Sequence, residues 1–293
     1  MDYWITLFHT QPWLFITLVA LLGLILGSFL NVVIHRLPIM MDRDWRIECQ
    51  EYCEQPVTRS DLPETFNLAT PRSRCGHCQT PIPMKHNIPV LSYLLLGGKC
   101  HSCQGSIGLR YPMVELMTAA VLAMMAWQFG PTPTFAALSL LSLGLIALAF
   151  IDADTMLLPD QITLPLLWLG LLFNIKDGLV PLEQAVAGAA FGYLSLWSVF
   201  QLFKVVTGKE GMGFGDFKLL ALFGAWLGWK PLLLIILLSS VLGAAYGILQ
   251  LALGKLKRDN PMPFGPWIIL AGWIALLWGD QIVHWYLTRV LGL

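Results

Sequence analysis

The sequence has few charged residues for its length: Lys, Arg, Asp and Glu make up 12% of 293 residues. Ordinary soluble domains carry about 25%, whereas hydrophobic residues reach 56% here and the mean hydropathy is +0.66. This composition excludes an ordinary soluble protein and indicates an integral membrane protein. The formal net charge is zero, which excludes the basic surface typical of nucleic-acid-binding proteins. We therefore expect membrane lipid, and no nucleic acid, among the partners.

Basic residues are also missing from the amino-terminal end, because no Lys or Arg precedes Arg36. A secretory signal peptide carries a basic segment before its apolar run, so the first apolar run is predicted to be a retained membrane anchor. Uncharged stretches of about 17–25 residues suit membrane-spanning helices. We predict an all-α polytopic membrane protein with about eight transmembrane helices, near residues 12–34, 113–130, 134–151, 161–175, 183–203, 216–229, 231–253 and 265–288.

The distribution of Lys and Arg predicts the orientation of these helices. With the amino end outside, 15 of the 18 basic residues fall on the cytoplasmic side and 3 fall outside. The cytoplasmic set includes nine residues within 36–110 and three within 255–258. This asymmetry follows the positive-inside rule, so we expect a multi-pass protein with its long polar loop in the cytoplasm.

That polar region, residues 35–111, separates the first two apolar runs. We divide the chain into a transmembrane anchor at 1–34, a cytoplasmic domain at 35–111 and a membrane core at 112–293. Charged and apolar residues alternate from Asp42 to Glu54 and predict a short amphipathic helix. Residues 55–73 are rich in Pro, Thr and Ser, as is typical of linkers.

Two Cys-x-x-Cys pairs, separated by 21 residues, are the sharpest local signal in this region: Cys75, Cys78, Cys100 and Cys103. Four thiolates with this spacing suit one tetrahedral zinc ion. The alternatives are a redox dithiol or disulfides, and thiols with no role, but structural disulfides are rare on the reducing side of the membrane. His77 and His101 lie between the cysteines and are not expected to bind the metal. Cys49 and Cys53 have no matching pair and are expected to be free thiols.

Two aspartates at the ends of apolar runs, Asp152 and Asp216, are the candidate catalytic residues. An acid at the centre of a bilayer costs roughly 2.5–3.5 kcal/mol, so acids in such places are functional candidates. The predicted orientation puts both at the cytoplasmic ends of their helices. If two carboxylates approach within ~4 Å, they repel by about 4 kcal/mol at an effective dielectric constant near 20. One would then hold a proton while the other stays ionised, as in aspartic proteases.

Alternatives to this acid pair remain open at the level of the residues alone. Each aspartate could cap a helix at the membrane interface, or the two could form the proton relay of a transporter or channel. A non-catalytic assembly scaffold is a third possibility. Asp154 and Asp160 rank below the pair, because neither has a second acid in a comparable setting.

Three further polar features lie beside apolar runs. Ser28, Asn31 and His35 share one helix face and read either as interfacial anchors or as a polar wall for a ligand. Glu115 fits the first turn of a helix. The Pro263–Pro266 break before the last apolar run is expected to leave backbone groups unpaired near the cleft.

With these motifs the chain closely resembles the bacterial type IV prepilin peptidases, which are intramembrane aspartyl proteases of the Gly-x-Gly-Asp type. The matching segments, which run essentially end to end, are Gly27–Pro38, both cysteine pairs, Arg110–Glu115, Ile151–Asp154, Leu158–Asp160, Gly208–Lys218 and Pro263–Pro266. The family's two catalytic aspartates match Asp152 and Asp216. The tetracysteine loop is typical of the members that are both peptidase and N-methyltransferase.

The resemblance implies a specific reaction sequence. Such enzymes lie in the bacterial inner membrane and remove a short basic leader from type IV prepilins and type II secretion pseudopilins, cutting after a Gly on the cytoplasmic side. They then methylate the new amino terminus, usually Phe, with S-adenosylmethionine. The sequence has no Gly-rich fingerprint for this methyl donor, so our candidate for its site is the segment before Cys100, with Gly98 and Lys99 as contact residues. No motif indicates the oligomeric state.

Overall fold

The computed structural model describes residues 7–8, 10–54, 65–176, 178–254 and 262–289. The predicted linker lies partly outside these residues, as do the three basic residues within 255–258. The described chain contains α-helices, two short 3-10 turns and no β-strand, which confirms the predicted all-α class. The helices are α1 (Pro12–Tyr52), α2 (Leu91–Leu95), α3 (Arg110–Phe129), α4 (Pro133–Thr155), α5 (Asp160–Phe173), α6 (Leu182–Thr207), α7 (Phe214–Leu227), α8 (Leu232–Ala252) and α9 (Gly265–Arg289).

Six described helices are long and apolar enough to cross a membrane, namely α1, α3, α4, α6, α8 and α9. The predicted spans 161–175 and 216–229 correspond to α5 and α7, each of which has 14 residues. At 1.5 Å per residue such a helix is about 21 Å long, shorter than the hydrocarbon core of about 30 Å. Gly228, with φ of +75°, ends α7, and a 3-10 turn follows Phe173 at the end of α5.

Helix α1 is the longest element, with 41 residues, or about 62 Å. It continues past the predicted end of the first span at residue 34 and includes most of the segment predicted as a separate amphipathic helix. An ion pair between Arg46 and Asp42, 2.8 Å long and one turn apart, supports the extended part. Pro38 lies inside the helix without ending it.

The chain divides into two compact units, residues 1–147 and 148–293, and the division falls within α4. In the first unit α1 packs directly on α3. A Cβ atom on Gly23 or Gly27 would lie 2.7 Å from the Cα atom of Ala119 or Glu115, respectively. These two helices therefore approach backbone to backbone, as small residues allow inside a membrane.

In the second unit α7 is the central helix, in contact with α5, α6, α8 and α9. Most of its residues, from Asp216 to Trp226, are buried. Gly188 of α6 packs so closely on Gly224 of α7 that a Cβ atom on either would collide with the other backbone. Helix α7 is therefore fixed by steric fit on the α6 side.

Hydrogen bonds fix the carboxyl end of the same helix. The indole N–H of Trp226 donates to the carbonyl oxygen of Leu166 at 2.9 Å. The side-chain amide of Asn174 donates to the carbonyl oxygen of Ala225 at 2.9 Å and accepts the N–H of Leu179 at 2.7 Å. With one end held by these bonds, α7 presents Asp216 at its opposite end.

Candidate active site and metal centre

The two candidate catalytic aspartates lie in the second unit, on different helices. Asp152 is in the last turns of α4, and Asp216 is in the first turn of α7. Their exposed fractions are only 5% and 8%, and their carboxylates are near enough for the charges to interact. Residues 64 positions apart in sequence thus form one acidic pair.

A backbone group orients the first of these carboxylates. The N–H of Gly265 donates to Oδ2 of Asp152 at 3.0 Å, in a buried hydrogen bond. Gly265 begins α9 directly after Pro263 and Phe264, so the Pro263–Pro266 break, which was predicted to leave backbone groups unpaired near the cleft, supplies this donor. A Cβ atom on Gly265 would lie 2.7 Å from the same oxygen, and only glycine allows this approach.

Leu158 joins the surroundings of both aspartates. Its side chain lies against Gly265 on one side and against Gly215, next to Asp216, on the other. A Cβ atom on Gly215 would be 2.8 Å from the Cβ atom of Leu158. Gly213 leaves the other face open, since its Cβ atom would meet only Oδ2 of Asp216 at 3.9 Å. The glycines of the Gly-x-Gly-Asp element thus serve two purposes, close packing and access.

Burial separates the acidic pair from the two competing acids. Asp154 is exposed in the last turn of α4. Asp160 begins α5 and pairs with Lys218 at 2.7 Å, with about half of its side chain exposed. Of these four acids, only Asp152 and Asp216 are buried.

The four cysteines of the two Cys-x-x-Cys pairs come together in the first unit. Their sulfur atoms all lie within 4.8 Å of one another, and those of Cys75 and Cys103 are 3.8 Å apart. A tetrahedral zinc ion with Zn–S distances of about 2.3 Å sets its ligands about 3.8 Å apart. All four thiols are free. The cluster therefore fits a single metal ion.

Two similar backbone turns hold these thiols. The N–H of Gln79 donates to the carbonyl oxygen of Cys75, and that of Gln104 donates to Cys100, at 2.9 and 3.0 Å. Gln79 and Gln104 both have positive φ, 55° and 58°. Isolated bridges, Arg74 with Pro81 and Lys99 with Ser106, close the two turns. Every one of these features recurs after 25 residues, so the loop contains two copies of one cysteine turn.

The surroundings of one thiol favour its deprotonated form, and therefore metal binding, at neutral pH. Hydrogen bonds to the side chain and backbone of Thr80 lower the pKa of the Cys78 thiol from 9.0 to about 6. Metal ions bind thiolates rather than thiols. Cys78 is therefore already in the form that a metal requires.

The remaining predicted residues of the loop lie outside this cluster. His77 is exposed, and the ring of His101 packs on His86 at 4.6 Å between centroids. Cys49 and Cys53 are exposed and free at the end of α1. Gly98 is buried with φ of +70°, and its carbonyl oxygen accepts the N–H of Ile107 at 2.7 Å. Lys99 is exposed at the start of the second cysteine turn.

Glu115 fastens the loop to the membrane helices of the first unit. It is buried, and Oε2 accepts the N–H of Val90 at 2.8 Å. Ser28 of α1 also hydrogen-bonds to this carboxylate. Asn31 donates to the carbonyl oxygen of Tyr111 at 3.1 Å, whereas His35 is exposed. Ser28 and Asn31 thus join α1 to the start of α3.

Comparison with known proteins assigns both parts of the chain. Residues 21–129 match the family model "Bacterial Peptidase A24 N-terminal domain", and residues 139–248 match "Type IV leader peptidase family". No solved structure matches the chain.

Close relatives cover nearly the whole chain. Proteins named prepilin leader peptidase/N-methyltransferase are 53% identical in Aeromonas salmonicida, over 97% of each chain, and 54% identical in Pseudomonas aeruginosa, over 95% of each. The protein of that name from Neisseria gonorrhoeae is 47% identical over 94% of this chain and 95% of its own. The chain therefore belongs to the prepilin leader peptidase/N-methyltransferase family, and it is an enzyme of the protease and methyltransferase class.

Proposed function

We propose that the protein removes the leader peptide of type IV prepilins and type II secretion pseudopilins, and then methylates the new amino terminus. Asp152 and Asp216 form the peptidase dyad at the cytoplasmic side of a bacterial inner membrane. S-adenosylmethionine is the methyl donor. The observation that carries the proposal is the burial of two interacting aspartates, on separate helices, in one glycine-lined site.

The dyad divides the roles of base and acid between two like residues. Two neighbouring carboxylates do not both ionise readily, so the pair shares one proton. The ionised carboxylate takes a proton from a water molecule while the oxygen of that water attacks the scissile carbonyl carbon. The protonated carboxyl donates its proton to the carbonyl oxygen. Collapse of the tetrahedral intermediate breaks the C–N bond, the amine leaves with a proton, and the leader ends in a new carboxylate.

The surroundings of the dyad prepare it for this chemistry. The N–H of Gly265 holds Asp152 in one orientation, which reduces the cost of aligning the dyad with substrate. The open face at Gly213 leaves room for an extended substrate strand beside Asp216. The apolar helix of the prepilin would lie along the membrane helices and deliver its scissile bond to this face.

The second reaction begins with the amine that proteolysis exposes. S-adenosylmethionine supplies an electrophilic methyl group on sulfur. The amine nitrogen forms a bond to that carbon, the carbon–sulfur bond breaks, and the nitrogen loses a proton. Residues of the 35–111 region, Gly98 and Lys99 among them, are proposed to hold the donor.

The cysteine cluster is proposed to hold one structural zinc ion through Cys75, Cys78, Cys100 and Cys103. The loop buries few apolar side chains of its own, whereas structural zinc contributes about 10–16 kcal/mol to the folding of small domains. The cluster contains four protein ligands and thus leaves no open coordination position of the kind catalytic zinc needs.

The predicted membrane arrangement completes the proposal. We retain the anchor at 1–34, the cytoplasmic domain at 35–111 and the membrane core at 112–293, with α1 continuing from the anchor into the loop domain. Helices α5 and α7 are proposed as two short membrane helices beside the six long ones. The cytoplasmic ends of α4 and α7 would then carry the two aspartates.

One incubation tests the proposed reactions together. Purified enzyme, a prepilin and S-adenosylmethionine are mixed, and the product is analysed by mass spectrometry. We expect loss of the leader and a gain of one methyl group at the new amino terminus. An intact prepilin would contradict the peptidase assignment, and proton-coupled flux in liposomes without cleavage would favour a transporter.

A further inference from the structure

A cavity of about 290 Å³ lies beside α1 and the first cysteine turn, away from the metal cluster. Its volume is close to the lower end of the range of about 300–1,000 Å³ typical of small-molecule sites. The residues that line it include Arg36, Arg72, Ser73, Ile82, Met84 and Asn87. Basic, polar and apolar groups thus face one space.

Arg36 is the unusual member of this set, because it is 91% buried. Its guanidinium donates to the carbonyl oxygens of Asn67 and Pro71 at 2.8 and 2.5 Å. The Cζ atom of this guanidinium lies 5.5 Å from the centre of the Phe66 ring. These contacts fix the position of the side chain and use two of its five N–H donors.

No acid within the described part of the chain forms an ion pair with Arg36. A buried charge is normally paired, because removing it from water is costly. The guanidinium fork matches the two oxygens of a carboxylate. Arg36 is therefore positioned to bind an anion that enters the cavity.

We propose that this cavity binds the methyl donor, with Arg36 holding the α-carboxylate of S-adenosylmethionine. The proposal rests on the proposed methyltransferase function and names the site for it. Ile82 and Met84 offer apolar surface for the adenine ring, and Ser73 and Asn87 offer polar groups for the ribose and the adenine edge.

The site is coupled to the cysteine turn by the backbone. The N–H of Ile82 donates to the carbonyl oxygen of Ser73 at 2.9 Å, and Arg74 bridges to Pro81 directly inside that pair. The wall formed by Ser73 and Ile82 is therefore an extension of the turn that carries Cys75 and Cys78. Removing the metal is expected to weaken donor binding as well.

The test compares two ligands so that the result does not depend on protein yield. Equilibrium dialysis of the full, metal-containing enzyme measures the affinities for S-adenosylmethionine and for decarboxylated S-adenosylmethionine. Charge-assisted hydrogen bonds of this kind correspond to a preference of about tenfold or more for the carboxylate-bearing ligand. We expect the wild type to show this preference and Arg36→Met to lose it.

Two variants serve as comparisons. Arg46→Met changes an exposed arginine of the same helix, which pairs with Asp42, and should keep both the affinity and the preference. Lys99→Met tests the site predicted from sequence. If Lys99→Met abolishes the preference while Arg36→Met retains it, the donor is anchored at the second cysteine turn and the proposal is overturned.

Ala69→Trp keeps the proposal testable if Arg36→Met does not fold. Ala69 is exposed and lines the cavity, so an indole there would fill the space from its rim. We expect at least a tenfold loss of affinity for S-adenosylmethionine with metal content unchanged. Unchanged affinity would overturn the proposal.

The results distinguish a failure of this binding site from a failure of the proposed methyltransferase function. A wild type that cleaves prepilin but binds no S-adenosylmethionine would contradict the methyltransferase function itself. A wild type that binds the donor, with unchanged preference in Arg36→Met, would overturn only the site. If that variant also retains less phosphatidylglycerol after purification, the anion at Arg36 is a lipid headgroup.

Discussion

The aspartate pair and the cysteine cluster are held in place by different kinds of interaction. The aspartates lie at the ends of two helices, and one of these, α7, is buried along most of its length and packed glycine on glycine. The cysteines lie on two short turns whose surroundings are largely exposed. Steric fit thus maintains the first site, whereas the second depends on its thiols and on whatever they bind. Single substitutions should therefore impair one site and leave the other intact.

The largest expected effect is on cleavage when either aspartate loses its carboxyl group. Asp152→Asn and Asp216→Asn should each reduce prepilin cleavage by about a thousandfold, because general acid–base catalysis contributes roughly 10²–10⁴ and both members of the pair are required. Metal content should be unchanged. Cleavage is followed by mass spectrometry of the leader.

Asp154→Asn is the matched control for these variants. It changes an exposed acid two residues beyond Asp152 on the same helix, and its cleavage rate should stay close to that of the wild type. Full cleavage by both dyad variants would remove the assignment of Asp152 and Asp216 as the dyad and leave the two acids as helix caps.

The second effect is loss of the metal on changing one cysteine. Cys75→Ser or Cys100→Ser should reduce bound zinc from about one ion per chain to none, because a structural site needs all four ligands. Hydrogen exchange should then rise in residues 73–107 and stay low in α7. Metal analysis and exchange mass spectrometry measure both, and Cys49→Ser is the control that should keep its zinc.

The third effect comes from one methyl group at the aspartate site. Gly265→Ala places a Cβ atom 2.7 Å from Oδ2 of Asp152, so the carboxylate must move. A displacement near 1 Å costs about a hundredfold in rate, and we expect a loss of that order in cleavage with zinc retained. Gly108→Ala adds the same methyl group in open space and should leave the rate unchanged. Equal rates for both variants would contradict the assigned role of Gly265.

The smallest effect is a pH dependence confined to the cysteine cluster. The pKa of Cys78 is lowered from 9.0 to about 6, so its thiolate persists at neutral pH and is protonated as the pH falls through 6. Protonation of this thiol alone should therefore make zinc binding about tenfold weaker at pH 5 than at pH 7. A competition titration with a chelator measures it. An affinity that rises on acidification would contradict the assignment of Cys78 as a ligand.

Local sequence features were enough to single out the residues of both candidate sites. Asp152 and Asp216 are acids at the ends of apolar runs, and the cysteine spacing is a recognisable metal-binding pattern. The apolar runs likewise predicted helices in the described membrane core, because twenty uncharged residues have few other stable forms in lipid.

Contacts between distant segments were beyond the reach of sequence. The hydrogen bond from Gly265 to Asp152 joins residues 113 positions apart, and the position of Leu158 between two glycines depends on the packing of three segments. The buried Arg36 gave no signal, because its neighbours at 67–71 fold back on it only in three dimensions. The full length of α1 could not be predicted either, since charged residues mark where a helix leaves the membrane rather than where the helix ends.

The most direct test is an experimental structure with an uncleavable prepilin peptide bound. We predict that carboxylate oxygens of Asp152 and Asp216 both lie within about 2.6–3.2 Å of the scissile carbonyl group or of a single water molecule beside it. A bound peptide whose scissile bond touches neither aspartate, or only one, would contradict the proposed dyad.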